Sequence, residues 1–274
     1  MPMISLRKNG IITITQQAGF SRGSETKMEG FDEKIQTLKQ MIEKSGKIVF
    51  LGGAGVSCES GIPDFRSDNG IFKAIQEFGY PPEELLSHSF FVRKPDVFFK
   101  YYKNLLMSTD AKPNKAHIAL AELEKRGKLT AVITQNIDGL HQLAGSKKVY
   151  ELHGSIHRNY CMKCHRFFDA AYVHDCDGIP YCPCGGMIKP DVVLYEEALD
   201  EDCITGALTQ VMRADMLIIG GTSLQVYPAA GLINYYRGDR LVLINKSSTP
   251  YDNYANLVIN ESIGEVLSKA VLED

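Results

Sequence analysis

At 274 residues, 44% hydrophobic and 23% charged, the chain has the composition of an ordinary soluble globule, with room for one sizeable core and a small second domain. A net charge of −3 gives no global basic field for nucleic acid, and no apolar stretch reaches membrane-spanning length, so neither is an expected partner. Seven cysteines are too few for a disulfide scaffold; with no apolar secretion core at the N-terminus, they imply a cytoplasmic location where clustered thiols hold metal.

Residues 1–28 are polar, apart from a β-branched run at Ile11 to Thr15, and are expected to form a flexible N-terminal extension. Helical periodicity begins after Met28: Phe31 to Ser45 places Ile35, Leu38, Met41 and Ile42 on one face, as a helix covering a sheet would. Lys47 to Leu51 reads as a buried strand running into Gly52, Gly53 and Gly55. Glycines there let the chain turn sharply and set bare N–H groups against a phosphate, the logic of a dinucleotide site. The third glycine of the strict fingerprint is replaced by Cys58. Gly61-Ile62-Pro63 then stops the helix after about one turn, delivering Asp64, Phe65 and Arg66 on a loop beside the same pocket. Cys58 is a small packed residue or a redox-sensitive thiol.

From Asn69 to Pro113 aromatic density rises, in a helical pattern broken by Pro81, Pro82 and Pro95. The segment is too long for a simple connection and is expected to be a helical insertion closing over the site, many of its rings being core. Asn114 caps a helix ended by Gly127, and Leu129 to Thr134 is a strand emptying into Gln135-Asn136-Ile137-Asp138. A short strand, Lys148 to Leu152, ends at His153-Gly154. Further strands are expected at Asp191 to Tyr195, Met216 to Gly220 and Arg240 to Ile244. Helices are expected over Asp200 to Arg213 and after a capping Ser262. Alternating strands and helices give an α/β fold, a doubly wound parallel sheet.

Ligands of such sheets sit beyond the C-terminal strand ends. Five separate parts of the chain supply those ends: Gly53 to Ser57, Gln135 to Asp138, His153, Gly221-Thr222-Ser223, and Asn245-Lys246. His153 is the candidate acid–base group, or else a hydrogen-bonded structural histidine; His141 reads as structural. Asp64 and Asp138 can bind a cofactor amide or hydroxyl, or cap their loops. Cys161-x2-Cys164 and Cys182-x-Cys184 read as four thiolates closing a structural zinc site. The second pair is one residue tight, which leaves Cys176 and His165 as alternative ligands.

With these motifs in order, the chain resembles the sirtuins, NAD-dependent protein-lysine deacylases. The resemblance rests on Gly53-Ala54-Gly55-Val56-Ser57, Gly61 to Arg66, Thr134 to Asp138, Glu151-Leu152-His153-Gly154, the cysteine pairs, Gly221 to Leu224 and Ile244-Asn245, and covers about residue 31 onward. It implies a Rossmann-like domain (about 29–68, 114–155 and 190–274) and a small domain made of a zinc ribbon (about 156–189) and the helical insertion (about 69–113). NAD and an acyl-lysine protein or peptide would meet between them. Ala54, Gly55, Ser223 and Asn245 would cradle adenosine and phosphates, with Arg66 nearby. Asn136, Ile137 and Asp138 would form the nicotinamide pocket, and Phe65 would shield the ribose. His153 would act as general base on a ribose hydroxyl after the acyl oxygen displaces nicotinamide, yielding lysine and an O-acyl-ADP-ribose. Val193-Leu194-Tyr195 would pair with the peptide as an added strand.

The chain departs from the family pattern at Gly52, Cys58 and Leu194-Tyr195-Glu196. It has no Tyr-x-x-Arg pair of the kind associated with acidic acyl groups, so acetyl or longer neutral groups are expected. Two other readings use the same cleft: a mono-ADP-ribosyltransferase, and a non-enzymatic NAD sensor with a zinc ribbon for partners.

Overall fold

The computed structural model describes residues 22–63, 74–107, 110–225 and 227–273, with side chains from residue 30 onward. Six strands form one parallel sheet: β1 (Ile48–Gly52), β2 (Leu129–Thr134), β3 (Val149–Glu151), β7 (Met216–Gly220), β8 (Leu241–Ile244) and β9 (Leu257–Ile259), in the order β3-β2-β1-β7-β8-β9. Every residue of β1, β7 and β8 is buried, as strands covered on both faces require. Alternation sorts the two faces. Ile48, Phe50, Val132, Ile218 and Val242 pack under the helices Arg22–Glu43, Lys115–Lys125 and Ile263–Leu267. Val49, Leu51, Ile133, Leu217 and Leu243 meet Glu201–Arg213 and the 3-10 helix Ala229–Tyr235. Chain order reverses direction between β1 and β7, which opens a crevice where their loops part.

The second sheet is antiparallel, with β4 (Gly154–Cys161) between β5 (Phe167–Phe168) and β6 (Ile188–Val192). Its inner face shares one core with the aromatic helices His88–Arg93 and Pro95–Tyr101: Phe90, Phe91, Phe98, Phe99 and Tyr102 meet Ile156, Ile188 and Val192. The insertion and the cysteine ribbon thus form a single packed unit although they are far apart in sequence. Pro82 and Pro95 each sit in the first turn of a helix, where no amide partner is lost.

Leu152 and His153 are the link between the two sheets. Gly154 starts β4 at φ +77°, and a Cβ there would lie 1.9 Å from the Asp191 carbonyl oxygen, so only glycine lets β6 pass so close. Arg158 spans the same junction, donating to Glu151 at 2.6 Å and Asp191 at 2.7 Å.

Several expectations shift. The first helix starts at Arg22, inside the stretch expected to be an arm. The strand expected at Asp191 to Tyr195 lies at Ile188–Val192; β4 and β9 appear where no strand was expected. Ser262 precedes the last helix without a side-chain capping bond. At Gly52 a Cβ would lie 2.6 Å from the buried Phe50 ring, so the position has little room for a side chain.

Candidate active site

The loops leaving β1 and β7 touch. Gly55 N–H donates to the Gly221 carbonyl at 2.8 Å and Gly53 N–H to Gly220 at 3.3 Å. A Cβ on Gly55 would sit 2.7 Å from the Gly221 Cα, and one on Gly221, at φ +60°, would sit 2.4 Å from the Val56 nitrogen. These glycines first permit loop-on-loop contact. That corrects the idea that the Gly53 and Gly55 amides are bare: both are spent on carbonyls.

Beside this contact, Ser57 is buried and joins two strand ends. Its hydroxyl donates to Asp138 Oδ2 at 2.6 Å and accepts from Asn136 Nδ2 at 2.9 Å. Asp138 Oδ1 accepts from the Leu140 N–H, and the Asp138 carbonyl accepts from His157 Nε2 at 3.0 Å. Gln135 reaches across to Thr222, donating to its hydroxyl at 3.3 Å. His153 Nδ1 lies 2.9 Å from the Gln135 carbonyl. A carbonyl can only accept, so Nδ1 carries the proton and the lone pair is on Nε2, the tautomer a general base needs.

These groups form the polar end of a cavity of about 330 Å³. Its other wall is apolar: Leu86, Tyr102, Leu106, Ile137, Val192 and Leu194. Such a cavity suits a ligand with one polar, reactive end and one aliphatic arm. The Asn136 amide and the Asp138 carboxylate, linked through Ser57, fit recognition of a carboxamide such as nicotinamide.

Of the residues predicted from sequence, Ala54, Ser57, Gln135 to Asp138, His153 and Val193 to Tyr195 line this cavity. Gly53, Gly221, Thr222, Ser223, Asn245 and Lys246 follow the ends of β1, β7 and β8 but are not among its lining residues. Asn245 Nδ2 donates to the Ser247 carbonyl. Cys58 is exposed, its thiol 3.5 Å from the Ala54 carbonyl. Asp64, Phe65 and Arg66 lie outside the described residues. The amides of Val193, Leu194 and Tyr195 are already engaged, donating to His153 O, Glu197 Oε2 and Leu86 O. Tyr102 was read from sequence only as one of the insertion's rings, and Leu106 and Leu86 carried no signal there.

Behind the polar wall lies a histidine pair. Asn114 caps the helix Lys115–Lys125, and its Nδ2 donates to the Val56 carbonyl and the Ser60 hydroxyl. His117 Nδ1 accepts from the Asn114 N–H, and its ring stands 4.7 Å from that of His141. Both rings are buried, and neither His117 Nε2 nor either nitrogen of His141 has a hydrogen-bond partner among the described residues. Burial lowers the His117 pKa to about 4, against an opposing pull from Asp138. Burial, aided by His117, lowers that of His141 to about 3.

Both rings are therefore neutral in the fold, while the unfolded chain protonates them below about pH 6.5. Stability is fully present above that pH and declines as pH falls toward the folded values. Between pH 7.5 and 5.5 the pair should lower unfolding free energy by about 3 kcal/mol. Urea unfolding checks this. His141→Phe should remove about half of the pH dependence, and equal pH dependence in both proteins would contradict it.

The Sγ atoms of Cys161, Cys164, Cys182 and Cys184 all lie within 4.8 Å of one another, with Cys161–Cys184 at 3.5 Å and Cys164–Cys182 at 3.6 Å. A tetrahedral zinc with bonds of about 2.3 Å sets sulfurs about 3.8 Å apart, so the cluster fits. Backbone N–H groups of Lys163 and Cys164 point at the Cys161 sulfur, and that of Cys184 at Cys182. The tight second pair closes through Gly185, at φ +81°, and a bond from Cys182 N–H to the Gly186 carbonyl. Cys176 and His165 are not members of the cluster. Against burial, the Cys164 and Lys163 amides pull the Cys161 thiol down to about 6. Despite the Cys184 amide, burial and the neighbouring thiols push Cys182 up to about 12. Four thiols this close cannot all ionise unaided, and a divalent cation resolves that conflict.

A Rossmann-like sheet whose polar crevice adjoins a four-cysteine ribbon and an aromatic helical unit defines the class. The model of the Sir2 family matches residues 53–228, and the chain belongs to that family. It is 62% identical over 242 residues to the NAD-dependent protein deacetylase of Clostridium perfringens, covering 88% of this chain and 99% of that one. It is 50% identical over 233 residues to the one from Cutibacterium acnes, covering 85% and 96%. A solved Sir2 homolog–NAD complex superposes with a TM-score of 0.79 at 38% identity, covering 86% of this chain and 92% of that one. A Sir2 variant with deacetylated p53 peptide and 3'-O-acetyl ADP-ribose superposes equally, at 0.79 and 37% identity over 86% and 96%.

Proposed function

We propose that this chain is an NAD-dependent protein-lysine deacetylase, giving nicotinamide, lysine and O-acyl-ADP-ribose. The observation that carries it is His153, held by the Gln135 carbonyl as the Nε2 base where the polar end of the cavity meets its apolar wall. Relatives bear that name over nearly their whole length, which favours it over the ADP-ribosyltransferase and sensor readings. NAD, when bound, supplies the ribose that gives up nicotinamide and takes over the acyl group.

The chain's own residues divide the work. Asn136, Ile137 and Asp138, braced by Ser57, hold the nicotinamide carboxamide and orient the bond to be broken. His153 Nε2 would take the proton of a ribose hydroxyl as that oxygen attacks the acyl carbon, and one water then enters as the acyl–nitrogen bond breaks and the lysine amine leaves. Gly53, Ala54, Gly55, Cys58, Gln135, Gly221, Thr222, Ser223, Asn245 and Lys246 border the dinucleotide. Asp64, Phe65 and Arg66, which lie outside the described residues, are assigned to the same dinucleotide by their motif. The acyl-lysine arm lies along the apolar wall. Val193, Leu194 and Tyr195 receive the substrate peptide; because Tyr195 N–H is paired with Leu86, full strand addition exchanges that bond for one to the peptide.

Cys161, Cys164, Cys182 and Cys184 hold one structural zinc, with no coordination position left for substrate. The Rossmann-like domain (about 29–68, 114–155, 190–274) carries the dinucleotide. The ribbon (about 156–189) and insertion (about 69–113) carry the acyl wall. Among the described residues no helix is long and apolar enough to cross a membrane, and the thiol cluster suits the cytoplasm. The reading is tested by nicotinamide release from NAD, which is expected only when an acyl-lysine peptide is present. Release at the same rate without peptide would contradict it.

A further inference from the structure

β4 does not run straight past the pocket. The consecutive β6 residues Pro190 and Asp191 face Asn159 and Ser155, so Ile156, His157 and Arg158 bulge out of the ladder between them. A bulge re-aims side chains, and bulges are over-represented beside active sites. This one turns toward the loop that leaves β2. Ile156 N–H donates to the Ile137 carbonyl at 3.0 Å, and His157 Nε2 lies 3.0 Å from the Asp138 carbonyl. A carbonyl can only accept, so His157 Nε2 carries a proton, where on His153 the bonded nitrogen is Nδ1.

The His157 ring also rests on the turn itself. Gly139 stands at φ +73°, and a Cβ there would lie 2.7 Å from His157 Cδ2 and 2.8 Å from Nε2. Glycine permits that conformation and that approach but has no side chain with which to hold the turn. Asp138, the residue before it, is fixed at both carboxylate oxygens and at its carbonyl. Oδ2 accepts from the Ser57 hydroxyl and Oδ1 from the Leu140 N–H, whereas the carbonyl is held from the antiparallel sheet. Arg158, next in the bulge, is committed to Glu151 and Asp191 and ties the bulge to both sheets. His157 is exposed and is not among the residues lining the cavity, so it meets the pocket through Asp138.

We propose that His157 is a positioning residue for the carboxamide site: by holding the Asp138 carbonyl it sets where the Asp138 carboxylate meets nicotinamide. The proposal rests on the deacylase reading above and deepens it. Nicotinamide meets Asp138 twice, as part of NAD and again when it returns as a product. The acyl-lysine arm lies on the cavity's other wall. Loosening Asp138 therefore weakens both nicotinamide contacts and spares the peptide.

The test measures three constants on the full-length chain with one acetyl-lysine peptide: KM for NAD, KM for the peptide, and the inhibition constant of nicotinamide. His157→Phe keeps a ring against Gly139 and removes the donor; His157→Gln keeps a donor, since its Nε2 stands as many bonds from the backbone as that of histidine. His157→Phe is expected to raise the NAD KM and the nicotinamide constant together, each about fivefold, as loss of one hydrogen bond does. The peptide KM should stay within about twofold, and His157→Gln should restore most of both losses. None of these constants depends on how much of the enzyme is folded, so a merely structural role would lower the maximal rate and leave them unmoved. Parental constants in His157→Phe would overturn the proposal. So would an equal rise in the peptide KM, or a glutamine variant no better than the phenylalanine one. Unmoved variants of a parent that deacetylates refute only this inference, whereas a parent that releases no nicotinamide with any acyl peptide removes the deacylase reading and this proposal with it.

Discussion

Replacing His153 by alanine should lower the rate of lysine release by about 10³-fold, the scale on which a positioned general base acts. The argument is one of position. β3 ends at Glu151, and Gly154 begins β4 at φ +77°, so the two residues between are carried from one sheet to the other. Arg158 ties both sides of that junction through Glu151 and Asp191. The Gln135 carbonyl, arriving from the end of β2, then fixes the ring's tautomer at Nδ1. Backbone and salt bridge, rather than the imidazole, hold the junction, so the variant should melt close to the parent. Single-turnover assays on an acetyl-lysine peptide check this. Unchanged lysine release would assign the proton transfer elsewhere.

Removing zinc should have the other large effect. The four sulfurs stand at the end of β4 and around the turn before β6, and these strands form the floor of the aromatic core. Metal binding to such a site contributes about 10 kcal/mol or more to folding of small zinc modules. Without it, Ile156, Ile188 and Val192 lose their anchor, and Phe90, Phe98 and Tyr102 lose the surface they pack on. A strong chelator, or Cys164→Ser, should release about one zinc per chain, abolish near-ultraviolet circular dichroism from the aromatic cluster and eliminate peptide turnover. The parallel sheet has separate cores and should retain most far-ultraviolet signal. A zinc-free protein with full activity and an unchanged melting temperature would contradict the assignment.

The parallel sheet was legible in the sequence because its strands are buried on both faces. Runs such as Ile48 to Leu51 and Met216 to Ile219 are uninterruptedly apolar, and the residues that follow them fall at one edge by topology alone. The antiparallel sheet was not. β4 mixes Ser155, His157, Arg158 and Asn159 among its apolar residues, and β6 contains Pro190 and Asp191, so neither carries a clean period. β9 has three residues, too few to stand out. In the site, the polar crescent was readable from strand ends, but the loop contact that consumes the Gly53 and Gly55 amides was not. The cavity's apolar wall also stayed hidden: Tyr102 and Leu106 share the cavity through a π-helical turn, and no sequence periodicity announces one. The commitment of the Val193 to Tyr195 amides depends on Leu86 and His153, distant residues that only the fold brings near.

The central claim is that the crevice breaks NAD and hands the acyl group to its ribose. Mass spectrometry of every product from the full chain, NAD and one acetyl-lysine peptide tests this most directly. Nicotinamide, deacetylated peptide and acetylated ADP-ribose are expected in equal amounts. Free acetate with NAD intact, or ADP-ribose left on the protein or peptide, would contradict it.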